Sequence, residues 1–293
     1  MERRKVEKLY TNFLRVSQKF YKGYIQRLSA CYDIPLLKRV ANGMDMEPLT
    51  APDAVSPVPS GLQSRVLHSC HSTLIHLGDL ARYRTQAKQK NASYDAALVC
   101  YNLAHHLMPS SGFAFHQMGI VSLDQINHLD VVYHFYRAWV IKSPHPNAKQ
   151  NLEMEFKTVL SPDAAKTKGN QNNVAQDALS MWFVKLHAHF YKGEQFSQQK
   201  ELENEVIHRL ELAARSASSA PAILKMTLTN MAAYYIASTK YAGKPNMNSK
   251  RYNSYLTKEQ KIPKVNRRHC STNLCCSSIP VSCLRCRRLL RRA

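Results

Sequence analysis

Only nine glycines occur in 293 residues, too few for a fold built from many strands and tight turns. They also leave little material for loops that cradle phosphate. Acidic residues are scarce: twenty Asp+Glu face forty-one Lys+Arg, a net charge of +21. No apolar run approaches the roughly 20 residues that a membrane span needs. Met1 to Lys8 is dominated by charge, and no apolar stretch behind it could serve as a secretory signal. Together these absences predict a soluble intracellular protein. What is present in quantity is apolar residues, 44% of the chain, enough for a sizeable core.

Charge and cysteine are both uneven. Residues 241–293 hold thirteen Lys+Arg against one acid, Glu259, and five of the eight cysteines. Cys283 and Cys286, with Cys270, Cys275 and Cys276, could supply thiolates to zinc, but the spacing is irregular and the usual companions are missing. A Ser/Cys/Arg-rich ending without acids or apolar period resembles out-of-frame or intron-derived translation, and it is expected to be disordered. Cys31, Cys70 and Cys100 fall in apolar-periodic segments, where reduced core cysteines are usual.

The rest of the chain reads as helix after helix. Val6, Leu9, Phe13, Val16, Phe20 and Tyr24 share one face of a first long helix. Asp33 is expected to cap a short second one, with Pro35 in its first turn and Gly43 just past its end. Four prolines over 44–60 predict an exposed loop in which the Ser56-Pro57 step offers a phosphorylation site. A second long helix begins near Gly61, carries Leu62, Val66, Cys70, Leu74, Leu77 and Ala81 on one face, and runs out at 88–91. Helical patterns follow at about 93–107, 112–125, 128–142, 146–160, 173–193, 198–216 and 221–238, with a polar loop at 161–172. Asn127 has the form of an N-cap with Asp130 in the first turn. The fold class is all-α.

Two of these segments repeat. Ala97, Tyr101, Ala104 and Pro109 match the second half of a tetratricopeptide repeat: small, aromatic, small, proline. Leu77-Gly78 and Met118-Gly119 resemble the Leu-Gly pair of its first helix, and Pro144 lies 35 residues after Pro109. A helical-hairpin array is the expected architecture, and such arrays typically bind partners on a concave face.

Catalytic signatures are missing: there is no phosphate loop, zincin motif, nucleophile elbow or dinucleotide fingerprint. The histidine pairs His68/His71, His105/His106 and His187/His189 lack metal-ligand spacing and read as surface or hydrogen-bonded helix residues. No enzyme, metal or cofactor is expected. Two basic groups stand out instead. Lys8, Arg15, Lys19 and Lys22 form a stripe beside the apolar face of the first helix, read either as a solvated face or as anion contacts. Arg82, Tyr83 and Arg84, with Lys88 and Lys90, end the second long helix. Residues 82 and 84 point about 200° apart on a helix, so one can bind an anion while the other pairs with an acid such as Asp79. An arginine fork beside a tyrosine hydroxyl is good phosphate chemistry. The helical body is read as lacking the exposed aromatics that stack single-stranded bases.

The segment His76-Leu77-Gly78-Asp79-Leu80-Ala81-Arg82-Tyr83-Arg84 resembles the signature of the Ever Shorter Telomeres family of telomerase-associated proteins, shared with nonsense-mediated mRNA decay factors. So do Tyr101-Asn102-Leu103-Ala104, Met108-Pro109-Ser110-Ser111-Gly112, Phe115-His116-Gln117-Met118-Gly119, Tyr133-His134-Phe135-Tyr136-Arg137 and Pro144-His145-Pro146-Asn147-Ala148. The likeness covers about 1–240, is densest over 68–160, and is of a fungal, truncated type. It implies a 14-3-3-like helical array over 1–90, a tetratricopeptide-like domain of DNA/RNA-binding type over 91–240, and a basic tail over 241–293. It further implies that Arg82, Tyr83 and Lys22 line a phosphoserine or phosphothreonine pocket. Lys8, Arg15, Lys19, Arg84, Lys88 and Lys90 are then candidate nucleic-acid or anion contacts. The implied partners are a phosphorylated protein and a telomerase or mRNA-decay ribonucleoprotein, with neither membrane nor small-molecule substrate. The implied location is the nucleus, with the cytoplasm as alternative. Direct nucleic-acid binding through the basic surface is the competing reading.

Overall fold

A computed structural model describes residues 2–44, 55–87, 93–161, 174–193 and 196–240. Ten α-helices carry them: α1 (Glu2–Cys31), α2 (Pro35–Asn42), α3 (Ser60–Ala87), α4 (Asp95–Leu107), α5 (Phe113–Asp124), α6 (His128–Val140), α7 (Ala148–Val159), α8 (Val174–Lys192), α9 (Gln199–Ala213) and α10 (Ala220–Tyr235). A π-helical turn, Ile236–Lys240, follows α10. Among the described residues no strand forms, beyond isolated bridges such as Tyr32 with Ser56. The tail cysteines, Lys88 and Lys90 lie outside the described residues.

The helices stack as antiparallel hairpins, α3 on α4 and α5 on α6, and continue through α7 and α8. The repeat is what locks them. Gly78 on α3 sits against the Tyr101 ring of α4, and a Cβ added there would enter the ring. Gly119 on α5 meets Phe135 of α6 in the same way, at 2.6 Å from the ring for an added Cβ. Ala97, Tyr101 and Ala104 are buried, and so are Val131, Phe135 and Ala138, each 34 residues on. A bare backbone on one helix and a large ring on the other let the pair approach closely, as the small-aromatic-small pattern predicts.

Local signals mostly hold. The Asn127 side chain accepts the Asp130 backbone N–H at 3.2 Å, capping α6. The expected Asp33 cap does not form: Ile34 occupies the N-cap of α2, and Asp33 turns to accept from Lys38 Nζ at 2.7 Å. Ser56 is held by its backbone, donating to the Cys31 carbonyl and accepting from Asp33. Polar ties fasten the last helices: Lys225 donates to Asp130 at 2.6 Å, His187 Nε2 to Asn230 at 2.7 Å, and Tyr191 to Glu153 at 2.6 Å.

The largest departure is α1. Its buried side chains are Leu14 and Ile25, while Tyr21 and Leu28 pack partly against the core. The other apolar row, Val6, Leu9, Phe13, Val16, Phe20 and Tyr24, is exposed. Helix α1 therefore carries two apolar faces about 100° apart, and α3 covers only one. The reading that the body lacks exposed aromatics is corrected by the same row, since Tyr10, Phe13, Phe20 and Tyr24 are all exposed.

Of the paired helix histidines, read as surface or hydrogen-bonded, His187 is of the hydrogen-bonded kind through Asn230. His71, His116 and His187 are buried. Burial pushes His116 and His187 down to about 4, with nearby His145 adding to the effect at His116. It pushes His134 down to about 3, helped by the charges of Lys225 and Arg137. Burial likewise raises the Cys70 thiol to about 12 and Cys100 to about 11, so neither is a thiolate near neutrality.

Candidate phosphate-binding site

The last three turns of α3 bring Asp79, Arg82 and Tyr83 to the edge of the α3–α4 hairpin. Asp79 and Arg82 are one turn apart and therefore neighbours on the helix surface. Arg82 Nη2 donates to Asp79 Oδ1 at 3.3 Å, and the Tyr101 hydroxyl donates to the same oxygen at 2.8 Å. The Arg82 side chain is 11% exposed, and its guanidinium carbon lies 4.5 Å from the centre of the half-exposed Tyr83 ring. Arg82 Nε is buried and makes no hydrogen bond.

Burial alone would lower the Arg82 pKa. Its interactions with Tyr101 and Asp79 outweigh that and hold it above the ordinary arginine value. Tyr101 moves up chiefly through burial and then through the Asp79 charge, so its proton stays on the hydroxyl and in the bond to Asp79. The guanidinium is thus fixed along one edge and stacked on one face, with its Nε buried and unpaired. One turn further on, Gln86 and Tyr94 both donate to Asp124, at 2.7 and 3.2 Å, tying α3 to the α4 entry and to α5.

The other candidates fall in three places. Arg84 is exposed, on a different side of α3 from Arg82, as their angular separation requires. Lys22 is half-buried on α1, and its charge is felt at Cys100, the residue before Tyr101 on α4. Lys8, Arg15 and Lys19 are exposed along α1. Lys8 and Arg15 line an open depression of about 550 Å³ with Arg4, Glu7, Thr11 and Asn12, all from one helix. A single helix cannot enclose a ligand, so this is a surface contact region rather than a pocket.

One part of the Arg82 network escapes a reading by spacing alone. Asp79 is visible as an i, i+3 neighbour, but its second bond comes from Tyr101, a residue the repeat pattern assigns purely to packing. Arg137 is a further arginine-tyrosine pair, donating to the Tyr133 hydroxyl at 2.9 Å and resting 4.4 Å over the Phe115 ring. Among the described residues no group of three or more His, Cys, Asp or Glu could hold a metal ion. Nor is any described helix long and apolar enough to cross a membrane.

The helices form a 14-3-3-like helical scaffold extended by tetratricopeptide-like hairpins. Two solved structures share that fold. One is the crystal structure of Est1 and Cdc13, with a TM-score of 0.67 at 14% identity over 86% of this chain and 53% of that one. The other is the C. elegans SMG5-SMG7 complex, with 0.55 at 18% identity over 81% and 54%. Family models match residues 1–88, described as telomerase activating protein Est1, and residues 97–269, described as the Est1 DNA/RNA binding domain.

The chain belongs to the Est1 family. The second match runs to residue 269, past residue 240, where the resemblance by motif was expected to end. Among curated relatives, nonsense-mediated mRNA decay factor SMG7 of Danio rerio is 28% identical over 225 residues, 75% of this chain and 18% of that protein. Telomere elongation protein est1 of Schizosaccharomyces pombe is 27% identical over 160 residues, 52% of this chain and 33% of that protein. The chain thus spans a third or less of the length of these two relatives.

Proposed function

We propose that this chain is a non-enzymatic adaptor that docks phosphorylated protein partners within telomerase-associated or mRNA-surveillance assemblies. It acts in the nucleus, with the cytoplasm the alternative for the decay pathway. The observation that carries this reading is the Arg82 guanidinium, held on one side by Asp79, stacked on Tyr83 and carrying a buried Nε that has no partner within the chain. A phosphoserine brings three acceptor oxygens and close to two negative charges, which match a pre-oriented guanidinium. Lys22, on the α1 side of the same hairpin, supplies a second charge.

The test uses degenerate fluorescent peptides with a central phosphoserine, and the same peptides with serine, titrated against the full chain. Arg82→Gln keeps a donor for Asp79 while removing the charge. It should weaken the phosphopeptides by tenfold or more and leave the helical spectrum intact. Lys22→Gln should weaken them less, and Arg84→Gln least. Equal binding of both peptide sets by the unmutated protein overturns the reading.

The match to a DNA/RNA binding domain and the net charge of +21 favour a second reading, direct binding of nucleic acid. It predicts that affinity for single-stranded oligonucleotides falls steeply with salt, as release of six or more counterions requires. A phosphopeptide held by one arginine and one lysine responds far less.

A further inference from the structure

The exposed apolar row of α1 is the most conspicuous surface feature unrelated to the arginine site. Leu9 is 70% exposed, Phe20 67%, Val6 63% and Phe13 61%, with Val16 and Tyr24 completing the row. Steps of three and four residues keep all six within about 80° of arc, and the row runs about 27 Å, or five turns. It is not frayed surface, because Leu14 and Ile25 anchor the same helix in the core and the Tyr24 hydroxyl hydrogen-bonds Ser69 of α3 at 2.8 Å. Contiguous exposed apolar strips of this kind mark interaction sites.

Charge narrows the occupant. Eight bases and two acids stand on α1, and both acids, Glu2 and Glu7, lie in its first two turns. Going around the helix from the apolar row, one edge leads to Lys5, Lys8, Arg15 and Lys19, and the other to the packed residues Leu14 and Tyr21. A helix lying flat on an anionic membrane carries cations along both edges of its apolar face; among the described side chains this one carries its cationic row on one edge. A second copy of the chain brings only the two acids at the start of its own α1, Glu2 and Glu7, to meet those cations.

We infer that the outer face of α1 is a docking seat for an amphipathic helix of about five turns, in a partner protein, with an apolar stripe and Asp or Glu along one edge. Apolar residues at i, i+3, i+4 and i+7 would fill the row from Val6 to Tyr24. The acidic edge would lie against Lys8, Arg15 and Lys19 and fix the direction of docking.

The probe is a synthetic twenty-residue helical peptide with a leucine stripe and glutamates along one edge. Its control has lysines in place of the glutamates. Fluorescence anisotropy with the full chain should show the glutamate peptide binding at least tenfold tighter than the lysine peptide. Leu9→Ser with Phe13→Ser should cost at least tenfold while the helical spectrum is unchanged, since both side chains are exposed. Arg15→Glu with Lys19→Glu should invert the preference between the two peptides. Arg82→Gln should leave this binding untouched, so failure here and failure of the phosphate site are separable. Equal binding of both peptides, or failure of the charge reversal to invert them, overturns the seat. So does self-association that Phe13→Ser abolishes, or binding to phosphatidylserine vesicles or oligonucleotides that displaces the glutamate peptide, because the row then belongs to another occupant.

Discussion

Helix α1 and the α3–α6 stack obey the same helical periodicity and end in opposite environments. In the stack, each apolar row meets a neighbour: Tyr101 closes on Gly78, and Phe135 closes on Gly119. In α1, the longest and most regular row in the chain faces outward, and a less regular one, Leu14, Tyr21, Ile25 and Leu28, does the packing. Periodicity reports that a helix has an apolar face. Only the presence of a complementary surface decides whether that face becomes core.

Acid should separate the two regions most strongly. His116, His134 and His187 lie in α5, α6 and α8, with pKa values lowered to about 4, 3 and 4, and α1 contains no histidine. The unfolded chain binds these protons near pH 6.5 and the stack refuses them, so their stabilising contribution is full above that value and is lost as pH falls toward 4. Each group costs on the order of 1.4 kcal/mol per pH unit in that window. Circular dichroism should show cooperative loss of helix between about pH 6 and 4. A stack whose stability is flat across this range would mean that water reaches these rings.

Gly78→Ala is the intermediate case. Its Cβ must displace the Tyr101 ring, an overpacking that costs roughly 1–3 kcal/mol by urea denaturation. An unchanged midpoint would mean that the hairpin is looser than the interlock requires. The smallest effect belongs to Phe13→Ser on the outer row of α1. At 61% exposure it should change stability by no more than about 0.5 kcal/mol. A loss of several kcal/mol would place that face in a core and erase the contrast.

The positions of the helices were readable because apolar spacing, caps and the 34-residue echo are local signals. The N-cap at Asn127 and the Tyr101 and Ala104 positions fall in that class. The site was readable in part. Asp79, three residues before Arg82, is a sequence neighbour. The Tyr101 hydroxyl, 22 residues away, reaches Asp79 only because the hairpin folds back on itself. The inward pull on Leu14 rather than Phe13, and the burial of His116 and His187, depend on which helices lie alongside, and no local pattern encodes that.

Tyr101 belongs at once to architecture and to chemistry. Its ring is the wedge that sets the spacing of the first hairpin, and its hydroxyl is the peg from which Asp79, and through it Arg82, is hung. The candidate phosphate grip is therefore not mounted on a loop that could wander. It inherits the stiffness of the array, and any tilt between α3 and α4 is transmitted to the guanidinium as a change of aim.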